Sequence, residues 1–393
     1  MKSLRRMLRG NIRQYAMIIA FIVVVIIFEF LTKGILLQPL NISNLIQQNA
    51  YVMILATGML LCILTMGNID LSVGSVVGFV GAISAILILK MDFPVWAALI
   101  ISMLVGVVIG IWHGWWIAYV GVPAFIVTLA GLLIFRGLTM TALGGLSLAP
   151  LPDSYTFLAA GFVPDIASIQ LFGKSFNLLA FLAGSVASIL FIINEISKRR
   201  NRRKYNFEVP AFWIFLTKII LIAAVIMAFS YALAVYRGIP MVLVIVVALV
   251  LIYSFITNKT IPGRHIYAFG GNPKAARLSG IKTKKVLFWV YVNMGVLSAL
   301  AGIVFTGRLN SATPKGGYGF ELDAIAACFI GGASTTGGIG TVIGAIVGGL
   351  LMGVLNNGMA IMGVPIDLQQ TIKGLVLLIA VGFDVLSKNR AKA

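Results

Sequence analysis

The chain has 393 residues, 60% of them hydrophobic and only 10% charged, with a mean hydropathy of +1.04. A soluble chain carries roughly a quarter charged residues, and this much apolar surface cannot be hidden in one water-soluble core, so its natural solvent is lipid. The net charge of +19 does not point to nucleic acid, because 21 of the 30 Lys and Arg fall in residues 2–13, 198–204, 259–285 and 388–392, spans without Asp or Glu. Basic clusters between apolar runs are the pattern of cytoplasmic loops.

In chain order, Lys2, Arg5, Arg6, Arg9 and Arg13 precede an apolar run from Tyr15 to Thr32. The run is long enough to span and ends without a small-x-small cleavage site, so it reads as a retained first helix that starts in the cytoplasm. Further spans fall near 45–66, 73–90, 95–119, 123–143, 177–194, 212–233, 239–257, 285–306, 320–335, 339–358 and 368–386, twelve in all. Alternating sides put both termini and the basic loops 195–211 and 258–284 in the cytoplasm, and the segment around Asp153 and Asp165 outside. The run 320–335 is short and carries Glu321 and Asp323, which suggests a broken or re-entrant helix; such a segment must be covered by protein or line a wet cavity.

Glycines recur every fourth residue at Gly106, Gly110 and Gly114, at Gly340, Gly344 and Gly348, and at Gly74 and Gly78. That spacing predicts smooth helix faces for close packing. Residues 331–344 are glycine-rich but lack lysine, and no nucleotide-binding motif appears anywhere, so ATP hydrolysis, if used, belongs to another chain. Cys62 and Cys328 read as buried free thiols, and they and His113 and His265 lack metal-ligand spacing. No cofactor or metal is expected.

Several polar groups interrupt the apolar runs. Asp70 and Ser72, in the sequence GNIDLSVGS at 67–75, suit either a helix cap or a place beside a pathway. Glu321 and Asp323 are two residues apart, which argues against a shared face and a catalytic dyad; they suit the positive end of a helix dipole. Arg136, inside the fifth span, needs a counter-charge from Glu29, Glu321 or Asp323, or contacts substrate. Asn356 and Asn357, with Gln369 and Gln370, suit sugar hydroxyls or helix-end hydrogen bonds. Trp112, Trp115, Trp116 and Tyr119 lie where an interfacial aromatic belt is expected. Segments 65–84 and 329–348 share a faint likeness: a span, a polar Gly/Ser turn and a glycine-spaced span.

The basic loop 258–284 contains Pro273 and Gly280, which frame a short helix over roughly 273–279. A loop that only connects two spans has no need of one. Docking to a partner and anchoring at the membrane surface both fit.

These pieces together resemble the permeases of ABC importers for pentoses and other monosaccharides. The residues that carry the resemblance are GNIDLSVGS at 67–75, VPAFIVTLAGLLIFRGL at 122–138, GRHIYAFGGNPKAARLSGIK at 263–282, ELDAIAACFIGGASTTGGIGT at 321–341 and LNNGM at 355–359. They run in the family's order across nearly the whole chain, and KRRNRRK at 198–204 is similar to the xylose and multiple-monosaccharide branch. The resemblance implies one all-α, polytopic membrane domain over 1–393. Its ten-helix core would be like that of vitamin-importer permeases, with about two extra helices in a variable region, 144–235. It implies a homodimer in the bacterial inner membrane, an ATPase partner with two nucleotide-binding halves, and a sugar-binding protein on the other side. The coupling element would then comprise Gly270, Gly271, Asn272, Ala275, Ala276, Arg277, Leu278, Ser279 and Gly280. Candidate pathway residues are Asn68, Asp70, Ser72, Phe125, Thr128 and Asn356, with Arg136, Glu321 and Asp323 as intramembrane charges. Three alternatives remain: a permease for another small solute such as amino acids, an ion-coupled secondary transporter, and a membrane enzyme, for which no acid, base or metal cluster can be assembled.

Overall fold

The computed structural model describes residues 12–171, 174–207, 209 and 211–392. Lys2, Arg5, Arg6 and Arg9 lie outside the described residues, as do the side chains of Arg13, Lys388, Arg390 and Lys392.

The chain is an all-α, multi-pass membrane protein. Its helices are α1 (Ile12–Leu31), α2 (Pro39–Leu64), α3 (Val73–Leu89), α4 (Val95–Trp115, continued by a π-turn at Trp116–Val120), α5 (Ala124–Leu143), α6 (Asp153–Ala160), α7 (Leu178–Lys204), α8 (Phe212–Val235) and α9 (Met241–Lys259). They continue with α10 (Ile261–Gly271), α11 (Pro273–Leu278), α12 (Thr283–Leu309), α13 (Phe320–Ile330), α14 (Val342–Ile361) and α15 (Ile366–Lys392). Among the described residues, eight helices are long and apolar enough to cross a membrane, and α1 and α3 hold shorter apolar stretches. Each of the twelve apolar runs holds a helix, although residues 331–335 of the run 320–335 are turn, and α13 and α15 are not among the eight helices long and apolar enough to span. One antiparallel hairpin, β1 (Ser168–Leu171) with β2 (Lys174–Asn177), pairs Ser168 with Asn177 and Leu171 with Lys174. Neither it nor α6 is foreseen in the sequence.

α2 and α12 form the centre. α4 packs along α12 as its glycine spacing predicts: a side chain at Gly110 would meet the Val292 backbone at 2.7 Å, and one at Gly114 the Phe288 carbonyl at 2.8 Å. The other two glycine series depart from expectation. Gly340 precedes α14, which starts at Val342, so only Gly344 and Gly348 lie on the helix, packed on the Gly331 and Ala327 carbonyls of α13 and its following turn. Gly74 and Gly78 accept an irregular loop, the backbone of Gly317 and Gly316, and not a helix. Cys62 and Cys328 are both buried free thiols.

The segment between α12 and α13 is re-entrant. Backbone bonds between Leu148 and Ala312 (2.9 and 3.0 Å) tie its start to the chain after α5. Its Gly316 and Gly317 then reach the first turns of α3. Val77 of α3 abuts Gly302, seven residues before the end of α12, about 10 Å inward at 1.5 Å per residue; Gly74 is nearly a turn deeper. α13 therefore begins inside the bundle. Its eleven residues cover about 16 Å, roughly half of a hydrocarbon core.

α7 and α8 pair with each other at the edge. Gly184 sits against Ser230, whose hydroxyl donates to the Ala180 carbonyl (2.5 Å). Glu195 pairs with Lys198 (3.3 Å) and Lys218 (2.6 Å), and Arg199 lies over Phe215 (4.5 Å).

Candidate functional site

The irregular start of α13 brings charge into the bundle. Gly319 turns the chain in the left-handed region (φ +78°), and Glu321 and Asp323 occupy the first turn, where the helix dipole favours an anion. Both are buried. Asp323 has two partners. Lys373 of α15 lies 3.1 Å from Oδ1 and donates to Oδ2 at 3.3 Å, and the Tyr51 hydroxyl of α2 donates to Oδ2 at 3.2 Å. The Tyr51 ring stacks on Phe320, with centroids 3.8 Å apart, and meets Phe305 edge-on at 5.7 Å.

Glu321 is arranged differently. The positive charge acting on it is Arg136, whose guanidinium lies 4.5 Å over the Tyr318 ring and forms no ion pair among the described residues. One oxygen of Glu321 and one guanidinium nitrogen of Arg136 are buried without a hydrogen-bond partner among the described residues. A buried polar atom left unpaired costs about 1–3 kcal/mol, so the two open atoms are places for a polar guest or water. Tyr318 and Leu322 beside them are 62% and 52% exposed. Buried polar atoms thus lie next to exposed Tyr318 and Leu322 on the flank of the lone protomer.

The three counter-charges considered for Arg136 are thereby sorted. Asp323 is taken by Lys373, and Glu29 accepts from the Leu37 backbone (3.0 Å). Glu321 is left as the carboxylate on which the arginine's charge acts.

A second cluster lies toward the end of the bundle that carries α10 and α11, here the basic end. Asp70 Oδ1 accepts from both the backbone N–H (2.9 Å) and the hydroxyl (2.6 Å) of Ser72. The Ser72 hydroxyl makes no capping bond of its own; it is Asp70 that holds the start of α3. Thr128 of α5 donates weakly to the Ile69 carbonyl (3.5 Å). His113 of α4 is buried against Gly131 with Nε2 unpartnered, and Ser72 borders the same glycine. Asn68 bonds to its own turn at the Thr65 carbonyl (2.7 Å).

The basic loop is two helices, not one. α10 was expected to be loop, yet Thr260 caps it and Pro262 fits its first turn. Asn272 then caps α11 through the Ala275 N–H (3.0 Å). α11 ends at Leu278, one residue short of expectation. Ala276 is buried; Ala275, Arg277, Leu278, Ser279 and Gly280 are exposed, Leu278 to 90%.

This loop is fastened to the core. The Gly338 N–H donates to the Leu64 carbonyl at the end of α2 (3.0 Å), and the Tyr267 hydroxyl of α10 donates to the Gly340 carbonyl (2.7 Å). A side chain at Gly270 would collide with the Leu64 carbonyl and sit 2.6 Å from the Gly338 nitrogen. Gly67 and Gly337 close the junction against Thr335 and Met66. The two turns that share a likeness in sequence, after α2 and after α13, thus meet at one point under α10.

Of the six pathway candidates, Asn68, Asp70, Ser72 and Thr128 come together. Phe125 is 61% exposed, and Asn356 is on α14, apart from them. Asn357 is buried in an amide network with Asn41 (2.8 and 3.2 Å) and Gln48 (3.4 Å). Gln369 donates to the Val364 carbonyl (2.8 Å). Sequence reasoning missed Tyr51, His113 as a neighbour of the Asp70 turn, Tyr267 and Lys373. Lys373 had a signal, a lone cation in the apolar run 368–386; nothing in the sequence tells that Tyr267 reaches residue 340.

Comparison with known proteins agrees with this architecture. A family model described as the permease component of branched-chain amino acid transport systems matches residues 41–381. The chain belongs to this permease family. It is similar to the xylose transport system permease protein XylH of Haemophilus influenzae, 40% identical over 97% of this chain and 98% of the relative. It is 36% identical to XylH of Escherichia coli K12 over 97% of this chain and 94% of the relative. The ribose import permease protein RbsC of Bacillus subtilis is 35% identical over 95% and 94%. No solved structure matches.

Proposed function

We propose that this permease is the membrane-spanning subunit of an ATP-driven ABC importer that carries a monosaccharide of the xylose or ribose class. The observation that carries the reading is end-to-end likeness to relatives named as xylose and ribose permeases. The family model's description alone would equally suit an amino acid, but the relatives favour a sugar. The chain would lie in the bacterial inner membrane with the basic end and both termini in the cytoplasm, as the basic clusters require.

The geometry supports a division of labour. ATP is hydrolysed on a separate chain with two nucleotide-binding halves, which grips the segment from Gly270 to Gly280, with Leu278 and Arg277 as its contacts. A periplasmic binding protein delivers the sugar to the opposite end. A pathway past Glu321, Arg136, Tyr318 and Tyr51 would meet unpaired polar atoms and aromatic faces, which suit sugar hydroxyls and the apolar face of a sugar ring. Asn68, Asp70, Ser72 and Thr128 form the inner gate beneath these groups, with Phe125 at the protomer face and Asn356 nearer the outer end of α14. Irregular backbone at membrane depth must be covered by protein or water, and Tyr318 and Leu322 are exposed there; a second copy of the chain across a central pathway provides both. The ten-helix core is read as residues outside the peripheral α7–α8 pair.

The path of force follows from the contacts. Movement of α11 displaces α10, which is pinned to the turn 331–341 through Tyr267 and Gly270. That turn ends α13, whose other end carries Glu321 and Asp323. An eleven-residue helix thus joins the ATPase contact to these buried charges.

The test is co-purification with the ATPase encoded beside the gene. A stable complex whose ATP hydrolysis rises with sugar-loaded binding protein supports the reading. Absence of association, with ion-driven sugar uptake by this chain alone in liposomes, would establish a secondary transporter instead. Arg277→Glu and Ala275→Trp are expected to leave insertion intact and to uncouple hydrolysis from transport; normal transport by both removes α11 from the mechanism.

A further inference from the structure

We propose that the groove between α9, α10 and the start of α12 is a binding site for an anionic phospholipid of the cytoplasmic leaflet. The groove is a cavity of about 610 Å³, within the range of roughly 300–1,000 Å³ that holds small ligands. Its floor is apolar: Leu61, Tyr253, Ile266 and Val290 are buried. Its rim is cationic. Lys282 and Lys285 are exposed at the mouth beside His265, and none of the residues lining it is acidic. Lys282 also borders an adjoining cavity of about 310 Å³ that adds Arg277 and Lys284.

Two further observations select the occupant. The first turn of α12 has no acidic residue, yet Lys282, Lys284 and Lys285 crowd it. Cations are disfavoured at the positive end of a helix dipole, and an anion seated among them removes that penalty. The Tyr253 hydroxyl donates to Asn293 at the groove wall, and the Asn293 amide nitrogen is buried without a partner among the described residues, a donor free for an ester or phosphate oxygen. A soluble anion would have no use for the apolar floor. A neutral lipid would have none for the lysines. Basic pockets between spans at the cytoplasmic face suit anionic head groups, with Trp289, 56% exposed, at interfacial level. The assignment to the cytoplasmic leaflet rests on the orientation proposed above; the binding site itself does not.

The full-length chain in detergent micelles is titrated with phosphatidylglycerol bearing brominated acyl chains, and separately with phosphatidylcholine bearing the same chains. Bromine quenches indole on contact, and a Trp289→Phe variant isolates the share of the signal that comes from the groove. Phosphatidylglycerol is expected to quench the Trp289 component at lower lipid fraction. Lys282→Gln and Lys285→Gln are each expected to weaken this by about fivefold, the equivalent of about 1 kcal/mol per lysine. Lys282→Arg with Lys285→Arg keeps the preference and controls for folding. Equal quenching by the two lipids, or a preference untouched by the glutamine pair, overturns the proposal. So does millimolar inorganic phosphate that abolishes the preference, which would mark a site for the free anion.

Discussion

α2 and α8 are both apolar spans, yet 83% of the most apolar stretch of α2 is buried within the protomer against 6% of that of α8. Hydropathy ranks them the other way, since the lipid-exposed α8 is the more apolar of the two. What separates them is what else they carry. α2 holds small and polar residues, such as Asn41, Ser43, Asn49 and Thr57, that are buried, whereas α8 is apolar nearly all round, aliphatic in its middle and aromatic toward its ends. In lipid, apolar side chains gain nothing by leaving the solvent for one another, so burial follows close backbone approach and polar pairing. The centre of this bundle is built by both. The α7–α8 pair has one short version of each, Gly184 on Ser230 and Glu195 with its two lysines.

The largest expected difference between the two regions lies in their ion pairs. Lys373→Met leaves Asp323 buried without its cation, and removal of one partner of a buried pair costs about 3–5 kcal/mol. Lys373 is itself 26% exposed, which places the cost near the lower bound. A fall in Tm in detergent measures it, and adding Asp323→Leu is expected to recover most of the loss. Glu195→Leu in the peripheral pair removes contacts to lysines that are 61% and 52% exposed, and is expected to cost about 0–1 kcal/mol. Equal losses at the two sites would break the distinction between centre and edge.

The same contrast explains what was legible in the sequence. The twelve apolar runs were legible because span length is set by bilayer thickness, and the break near 320–335 because Glu321 and Asp323 interrupt an apolar run. A close-packed face on α4 was legible in Gly106, Gly110 and Gly114, but not that α12 fills it. α6 and the β1–β2 hairpin were not, since eight-residue and four-residue elements are too short for periodicity to show. α10 was not legible in the basic loop; Pro262 falls in its first turn, where a missing N–H costs nothing, and the Gly263 N–H is capped by Thr260. The partner of Asp323 is 50 residues away and that of Tyr267 is 73, separations on which a single sequence is silent. Asp70, Ser72 and Thr128 are all legible as candidates in the sequence, but only the structure adds His113 beside them.

Glycine substitutions sharpen the comparison at a middle scale. At Gly110 a new methyl meets backbone atoms of α12, and α12 is held from its other sides by α2 and α3. Gly110→Ala is therefore expected to cost about 1–3 kcal/mol, the range for overpacking a fixed core. At Gly184 the obstacle is the Ser230 side chain, and α7 and α8 have lipid behind them on most of their surface. The pair can slip apart, so Gly184→Ala is expected to fall below about 1 kcal/mol, nearer the effect of an ordinary surface change. Thermal unfolding of both variants in the same detergent decides it; a larger loss at Gly184 would mean that the pair is held as rigidly as the centre.

The smallest expected effect on stability is the most informative about function. Leu278 on α11 and Leu190 on α7 are both exposed leucines, at 90% and 60%, and neither supports the fold of the protomer. Leu278→Ala and Leu190→Ala are each expected to shift stability by no more than about 0.5 kcal/mol. They diverge if α11 docks to an ATPase. A side chain that acts as a hot spot in a partner's groove contributes about 2 kcal/mol or more to binding, roughly 30-fold in affinity, whereas Leu190 lies on α7, away from the basic loop. The reading therefore requires that Leu278→Ala weaken ATPase association and sugar-stimulated hydrolysis at unchanged Tm, and that Leu190→Ala change neither. Should Leu278→Ala be silent in both, the basic loop is a membrane anchor, and the link from Tyr267 and Gly270 to α13 carries no force from ATP.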